Sequence, residues 1–169
     1  MKSQNTAHKI VMAAMLAALV CVFTMIIKIP SPLKGYINIG DCVVLLAGWM
    51  LSPIYGFLAA GVGSALADLF SGYIIYAPAT FVIKGCMALI AYYASTLLLK
   101  KSKSIVRQIV SGALAEIWMI VGYFVFEGCL YGFVPSLVNI PANGMQGIAG
   151  LVLGVVLMKI FEKHKINLQ

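Results

Sequence analysis

The stretch that decides the fold is His8–Ile27, HKIVMAAMLAALVCVFTMII, in which no charged residue lies between Lys9 and Lys28. A helix needs roughly 20 predominantly apolar residues to cross a bilayer core, and Ile10–Ile27 is long enough to span. No clear small-residue cleavage site follows it, so it reads as a span rather than a signal peptide. The rest of the chain has the same character: of 169 residues, 62% are hydrophobic and only 10% charged, with a mean hydropathy of +1.01. Such a composition is that of an integral membrane protein. At this length the chain has room for six short-looped helices and no soluble domain, so the expected fold is a single all-α transmembrane domain over residues 1–169.

Turn signals divide the chain. Pro30-Ser31-Pro32 ends the first span, Ser52-Pro53 starts the third, and Gly/Tyr/Pro-rich segments separate the later ones. The expected spans cover about 8–27, 38–51, 54–70, 79–99, 108–127 and 141–160. The second is the anomaly, because Cys42–Leu51 is short for a crossing. It must borrow Ile37–Asp41, thin the bilayer locally, or be partly re-entrant. Orientation follows from the basic residues. With the N-terminus in the cytoplasm, that side holds Lys2, Lys9, Lys100, Lys101, Lys103, Arg107, Lys159, Lys163 and Lys165, while only Lys28 and Lys34 lie outside. The positive-inside rule therefore places both termini in the cytoplasm.

Several function classes are disfavoured. The net charge of +7 has no aromatic-interleaved basic run beside it, so the basic residues meet anionic lipid rather than nucleic acid. Cys21, Cys42, Cys86 and Cys129 are widely spaced, with no C-x-x-C and no His at ligand spacing, and read as small apolar fillers rather than metal ligands or disulfides. His8 and His164 sit at the cytoplasmic ends, and no catalytic or phosphate-cradling motif is present. The reading is of a non-enzyme without metal or cofactor, unable to hydrolyse ATP itself.

The polar residues inside the spans carry the functional signal, since an intramembrane charge is costly. Asp41, Asp68, Lys84, Glu127, Asn143 and Gln146 all fall within a couple of turns of the outer face. Glu116, Ile120, Tyr123 and Glu127 share one helical stripe. Glu116 serves either a helix neighbour or a ligand, and Glu127 faces either headgroups or a ligand. Asn143 and Gln146, just after Pro141, offer donors and acceptors for a polar heterocycle or for a neighbouring helix. Thr80 and Lys84 lie four residues apart, and Lys84 either pairs with Asp68 or Glu127 or contacts substrate. Ser64 and Asp68 have the same spacing on a helix lined by Gly61, Gly63, Ala65 and Ala67, which fits close helix packing with Asp68 helping to close the outer loop. Asp41 is expected to cap the second helix. On the first span, Ala13/Ala17 and Ala14/Ala18 form two small-x-x-x-small pairs, suited to a helix within the chain or a separate membrane partner.

Taken in order, Gly35-Tyr36-Ile37-Asn38-Ile39-Gly40-Asp41, Ala67-Asp68-Leu69-Phe70-Ser71-Gly72-Tyr73, Tyr76-Ala77-Pro78-Ala79-Thr80 with Lys84-Gly85, and Pro141-Ala142-Asn143 with Gln146 resemble the substrate-binding S components of energy-coupling-factor (ECF) vitamin transporters. The resemblance covers essentially the whole chain. It implies a six-helix bundle in the plasma membrane that captures a water-soluble vitamin or precursor outside and docks on a module of one transmembrane T component and two ATP-binding-cassette ATPases. It implies docking through Ala14 and Ala18 (or Ala13 and Ala17), a lid over Lys28–Gly40, and toppling of the subunit to present its site inward. Ligand contacts are implied for Tyr36, Asn38, Lys84, Tyr123, Glu127, Asn143 and Gln146. Tyrosines for stacking and amides for ring nitrogens and hydroxyls favour a pyridoxine-like or hydroxymethylpyrimidine-like cargo over riboflavin. The competing readings are a self-sufficient transporter coupled to ions through Glu116, Glu127 or Asp68, for which no convincing internal repeat is found, and an intramembrane enzyme or scaffold.

Overall fold

The computed structural model describes residues 6–31, 35–98 and 101–164. Lys2, Lys34, Lys100, Lys165, Pro32 and Leu99, which figured in the orientation and boundary arguments, lie outside the described residues. The chain forms α1 (Thr6–Ile26), a two-stranded antiparallel hairpin of β1 (Ile29–Pro30) and β2 (Tyr36–Ile37), α2 (Asp41–Met50), α3 (Pro53–Phe70) and α4 (Ala77–Tyr93). A π-helical turn, Ala94–Leu98, extends α4. Then come α5 (Ser104–Tyr131), the one-turn α6 (Phe133–Ser136), a 3₁₀ turn at Leu137–Asn139, and α7 (Ile140–Lys163).

Local chemistry sets these boundaries. Proline occupies the first turn of α3, α4 and α7, where its missing N–H costs nothing. Gly132 ends α5 at a φ of +94°, a conformation that favours glycine. In the π turn, the Ser95 and Thr96 hydroxyls donate to the Tyr92 carbonyl at 2.9 and 2.7 Å, bonding that competes with the regular helical ladder.

Among the described residues, five helices, α1, α3, α4 with its extension, α5, and α6 continued through α7, are long and apolar enough to cross a membrane. The second expected span is different. At ten residues α2 is about 15 Å long, half the thickness of the hydrocarbon core. Every one of its residues is buried, because α1, α3, α4, α5 and α7 all pack around it. The bundle itself covers α2, so this helix meets protein on every side. The outer loop also departs from expectation: it holds a small hairpin, pairing Ile29 with Ile37 and Pro30 with Tyr36.

Lipid tails are as apolar as these side chains, so close packing rather than hydrophobic exclusion drives helix association. Small residues supply it. A Cβ on Gly48 of α2 would stand 2.6 Å from the Ala88 carbonyl of α4 and 2.9 Å from the Ala91 methyl. A Cβ on Gly63 of α3 would collide with the Ala17 carbonyl of α1. At the inner end, the buried Trp49 indole donates to Ser111 at 2.9 Å. The Ser104 hydroxyl (2.5 Å) and the Gln108 amide (2.9 Å) both donate to Glu162, clasping α5 to α7.

Candidate functional site

The polar residues of the outer halves converge. Lys84 of α4 and Asp41 of α2, both almost wholly buried, form an ion pair. This corrects two expectations. Lys84 pairs with neither Asp68 nor Glu127, and Asp41 does not cap its helix, which has no side-chain cap. The reason lies in the enclosure of α2: with its first turn inside the bundle, a carboxylate there must find a cation, and α4 presents the ammonium beside it. The second Asp41 oxygen accepts from the Gln146 side-chain amide of α7 at 2.7 Å.

Gln146 then reaches the outer loop. Its carbonyl accepts from the Asn38 backbone N–H at 3.0 Å and from the Asn38 side-chain amide at 3.4 Å. The Asn38 carbonyl in turn accepts from Gly40 N–H at 2.9 Å. One continuous polar chain therefore runs from the loop through α7 to α2 and α4. A second latch is Tyr36, whose hydroxyl donates to Asp68 of α3 at 2.6 Å. Burial and the neighbouring Asp68 charge push the Tyr36 phenol above its ordinary pKa, keeping it a donor. Lys28 also donates to Ser71, at 3.0 Å.

Beneath the hairpin lies a narrow cavity of about 30 Å³ that opens to the outside. The outer loop contributes Tyr36 and Asn38, α4 contributes Lys84, and α5 contributes Tyr123 and Glu127. Asn143 and Gln146 come from α7. All seven residues singled out from the sequence thus line one space, although their hydrogen bonding differs. Gln146 and Asn38 are engaged with protein groups, whereas Asn143, half-buried, makes no recorded side-chain bond among the described residues. The Tyr123 hydroxyl shares a hydrogen bond of 3.0 Å with Thr80, and the Lys84 ammonium stands 5.5 Å from the Tyr123 ring centroid. One Glu127 oxygen accepts from Asn139 at 2.8 Å and Tyr76 at 3.4 Å. Among the described residues, its other oxygen has no hydrogen-bond partner, nor has one oxygen of Asp68.

Sequence reading had not placed Asp68, Ser64, Thr80, Thr24, Tyr73 or Tyr76 in a binding site, and all line the cavity. Signals existed for Ser64–Asp68 and Thr80–Lys84, which share helix faces, and for the tyrosines of the outer aromatic loop. Thr24 gave none beyond being polar near the end of a span. Tyr36, Tyr73 and Tyr76 form a run of rings, with centroids 4.7 and 6.3 Å apart. Glu116 lies outside the cavity lining; it is buried, with neither oxygen hydrogen-bonded among the described residues, and packs against the Gly147 and Gly150 positions of α7. Among the described residues, no group of three or more His, Cys, Asp or Glu side chains gathers as a metal site would require.

The two alanine pairs of α1 part company. Ala13 is buried and Ala17 half-buried against α3, whereas Ala14 and Ala18 are exposed on the outside of the bundle.

Comparison with known proteins agrees with this architecture. A solved chain described as the S component of a bacterial ECF transporter superposes with a TM-score of 0.71, at 24% identity, over 95% of this chain and 98% of that one. A protein of Pyrococcus woesei, described as "Uncharacterized protein in gap 3'region", is 34% identical over 146 residues, 86% of this chain and 95% of its own length. The family model for the ECF-type riboflavin transporter S component matches residues 4–163. The family is one of transporter substrate-binding subunits, not of enzymes, and this helical membrane protein belongs to it: the chain is a member of the ECF-type riboflavin transporter S component family.

Proposed function

We propose that the chain is the high-affinity capture subunit of an ECF-type importer, and that the cavity beneath the β1–β2 hairpin holds a small hydroxylated aromatic heterocycle of pyridoxine-like or hydroxymethylpyrimidine-like size. The observation that carries this reading is the convergence of Tyr36, Asn38, Lys84, Tyr123, Glu127, Asn143 and Gln146 on one outer cavity. Tyrosine faces give a flat ring its stacking surface. The Asn143 amide offers both a donor and an acceptor, and the second Glu127 oxygen an acceptor, for ring substituents. The outer loop is the lid, latched by Tyr36 to Asp68 and by Asn38 to Gln146. Riboflavin is the second reading, favoured by the description of the matching family.

The remaining assignments follow from the same role. The chain sits in the plasma membrane with both termini in the cytoplasm. Ala14 and Ala18, exposed on α1, form the surface that meets a transmembrane T component. Two ATP-binding-cassette ATPases on that component supply the energy, and this chain needs no cofactor of its own. The reading is tested by titrating the detergent-purified chain, free of partners, with pyridoxine, hydroxymethylpyrimidine and riboflavin in a calorimeter. Saturable binding to one of them, abolished by Glu127→Ala, is expected. Transport that persists without ATPase partners and stops when the ion gradient collapses would overturn it in favour of an ion-coupled carrier.

A further inference from the structure

The inner end of the bundle holds two further openings. One is an apolar groove of about 470 Å³, walled by Ile90, Tyr93 and Ala94 on the α4 side and by Leu114, Trp118 and Val121 of α5. The Trp118 indole N–H is turned to the Ile83 carbonyl at 3.2 Å, so the groove receives the ring and not its donor. The other is a recess of about 130 Å³, lined by Trp49, Ser95, Thr96, Arg107, Gln108 and Met158. The two meet at consecutive residues: Ala94 walls the groove, and Ser95 and Thr96 of the π turn line the recess. Such turns are frequent at functional sites. On α5, Arg107 stands two turns from Leu114, on the stripe that continues through Trp118 and Val121.

The recess offers one positive charge and several acceptors. Arg107 is half-buried and forms no ion pair among the described residues. Gln108, 4% exposed, donates through its amide to Ser104 and Glu162 at 3.0 and 2.9 Å. Its carbonyl oxygen has no hydrogen-bond partner among the described residues. The Ser95 and Thr96 hydroxyls give their protons to the Tyr92 carbonyl and keep oxygen lone pairs. The same end of the chain carries Lys101, Lys103, Lys159 and Lys163, against the carboxylate of Glu162.

We propose that groove and recess together form a site for one anionic phospholipid. An acyl chain lies in the α4–α5 groove, the phosphodiester meets Arg107, and hydroxyls of the head donate to Gln108 and its neighbours. A guanidinium matches phosphate oxygens in a two-pronged contact, and basic pockets between membrane helices suit anionic headgroups. A helix from another protein would fill the groove and leave the recess unanswered. A free phosphate would answer Arg107 and leave the groove empty; a phospholipid answers both.

The test reads Trp118 in vesicles. Of the two tryptophans, Trp49 is replaced by Phe, and phospholipids brominated along the acyl chain quench Trp118 when they occupy the groove. Phosphatidylglycerol is expected to displace phosphatidylcholine with a relative binding constant of at least about 5, the ratio one basic residue gives at a membrane surface. It should also outcompete phosphatidylmethanol, which has the charge without the hydroxyls. Arg107→Gln should bring phosphatidylglycerol and phosphatidylcholine to parity. If Trp49→Phe does not fold, native mass spectrometry of the unsubstituted chain and of Arg107→Gln with the same lipids reads the same ratio. Parity of phosphatidylglycerol and phosphatidylcholine before the Arg107 change, the behaviour of ordinary boundary lipid, overturns the site. So does a preference that Arg107→Gln leaves intact. Parity of phosphatidylglycerol and phosphatidylmethanol overturns the hydroxyl contacts. Protection of Trp118 from every brominated lipid, in a chain that self-associates, assigns the groove to a second copy and overturns the site as well. Each of these outcomes leaves vitamin capture standing.

Discussion

Helices α1 and α2 are written in much the same alphabet and have opposite surroundings. In α1 only Ala13, Leu16, Val20 and Thr24 are buried, one stripe along the helix, and the rest faces outward to varying degrees. In α2 all ten residues are buried. Apolar composition therefore does not distinguish a helix that meets lipid from one that meets only protein. The polar residues do. The carboxylate that opens α2 is held by an ammonium from α4 and an amide from α7, whereas α1 contributes to the polar interior only through Thr24 at the cavity. The enclosed helix anchors the site, and the peripheral helix offers a free face.

Breaking the anchor should have the largest effect. Lys84→Met leaves Asp41 buried and uncompensated, with an expected loss of about 3–5 kcal/mol, read as a fall in apparent melting temperature in detergent. Adding Asp41→Asn to the same chain should recover much of it, and a double-mutant cycle measures the coupling. Next come the close approaches. Gly48→Ala forces a methyl toward the Ala88 carbonyl, 2.6 Å from the new carbon, and should cost about 1–3 kcal/mol by overpacking. Gly63→Ala should do likewise through the Ala17 carbonyl, so the α1–α3 and α2–α4 contacts can be ranked on one thermal scale.

A smaller change is expected for Gln146→Ala. It severs the loop from the Asp41–Lys84 pair at a cost of about 1 kcal/mol in stability, and its stronger signature is faster ligand release in stopped-flow displacement. The smallest stability effect belongs to Ala18→Trp on the open face of α1, within about 0.5 kcal/mol. Ligand binding should persist while co-purification with a T component fails. Ala13→Trp, on the buried stripe of the same helix, should instead lower the melting temperature. Equal thermal effects at the two positions would dissolve the distinction between the faces of α1.

Much of this was legible in the chain. Apolar runs, turn residues and the rarity of charge gave the helices; the confinement of Lys84, Tyr123, Glu127, Asn143 and Gln146 to the outer halves of their spans gave part of the cavity wall. The rest depends on which helix lies inside which. Asp41 at the start of a helix reads locally as a cap, and only the enclosure of α2 makes it the partner of Lys84. Likewise, the amides of Asn143 and Gln146 look equivalent along the sequence. In the folded chain Gln146 is occupied by Asn38 and Asp41, while Asn143 lines the cavity with no side-chain hydrogen bond among the described residues. The two alanine pairs of α1 are likewise equivalent until α3 packs against one of them.

The most direct test of the central claim, that a solitary chain captures a vitamin in the cavity under the hairpin, is calorimetric titration of the purified chain and of its Glu127→Ala and Ala18→Trp variants against water-soluble vitamins. Saturable one-to-one binding by the native chain and by Ala18→Trp, lost in a folded Glu127→Ala, is the predicted result. Binding that survives Glu127→Ala at full affinity, or no binding to any vitamin by the native chain, would contradict it.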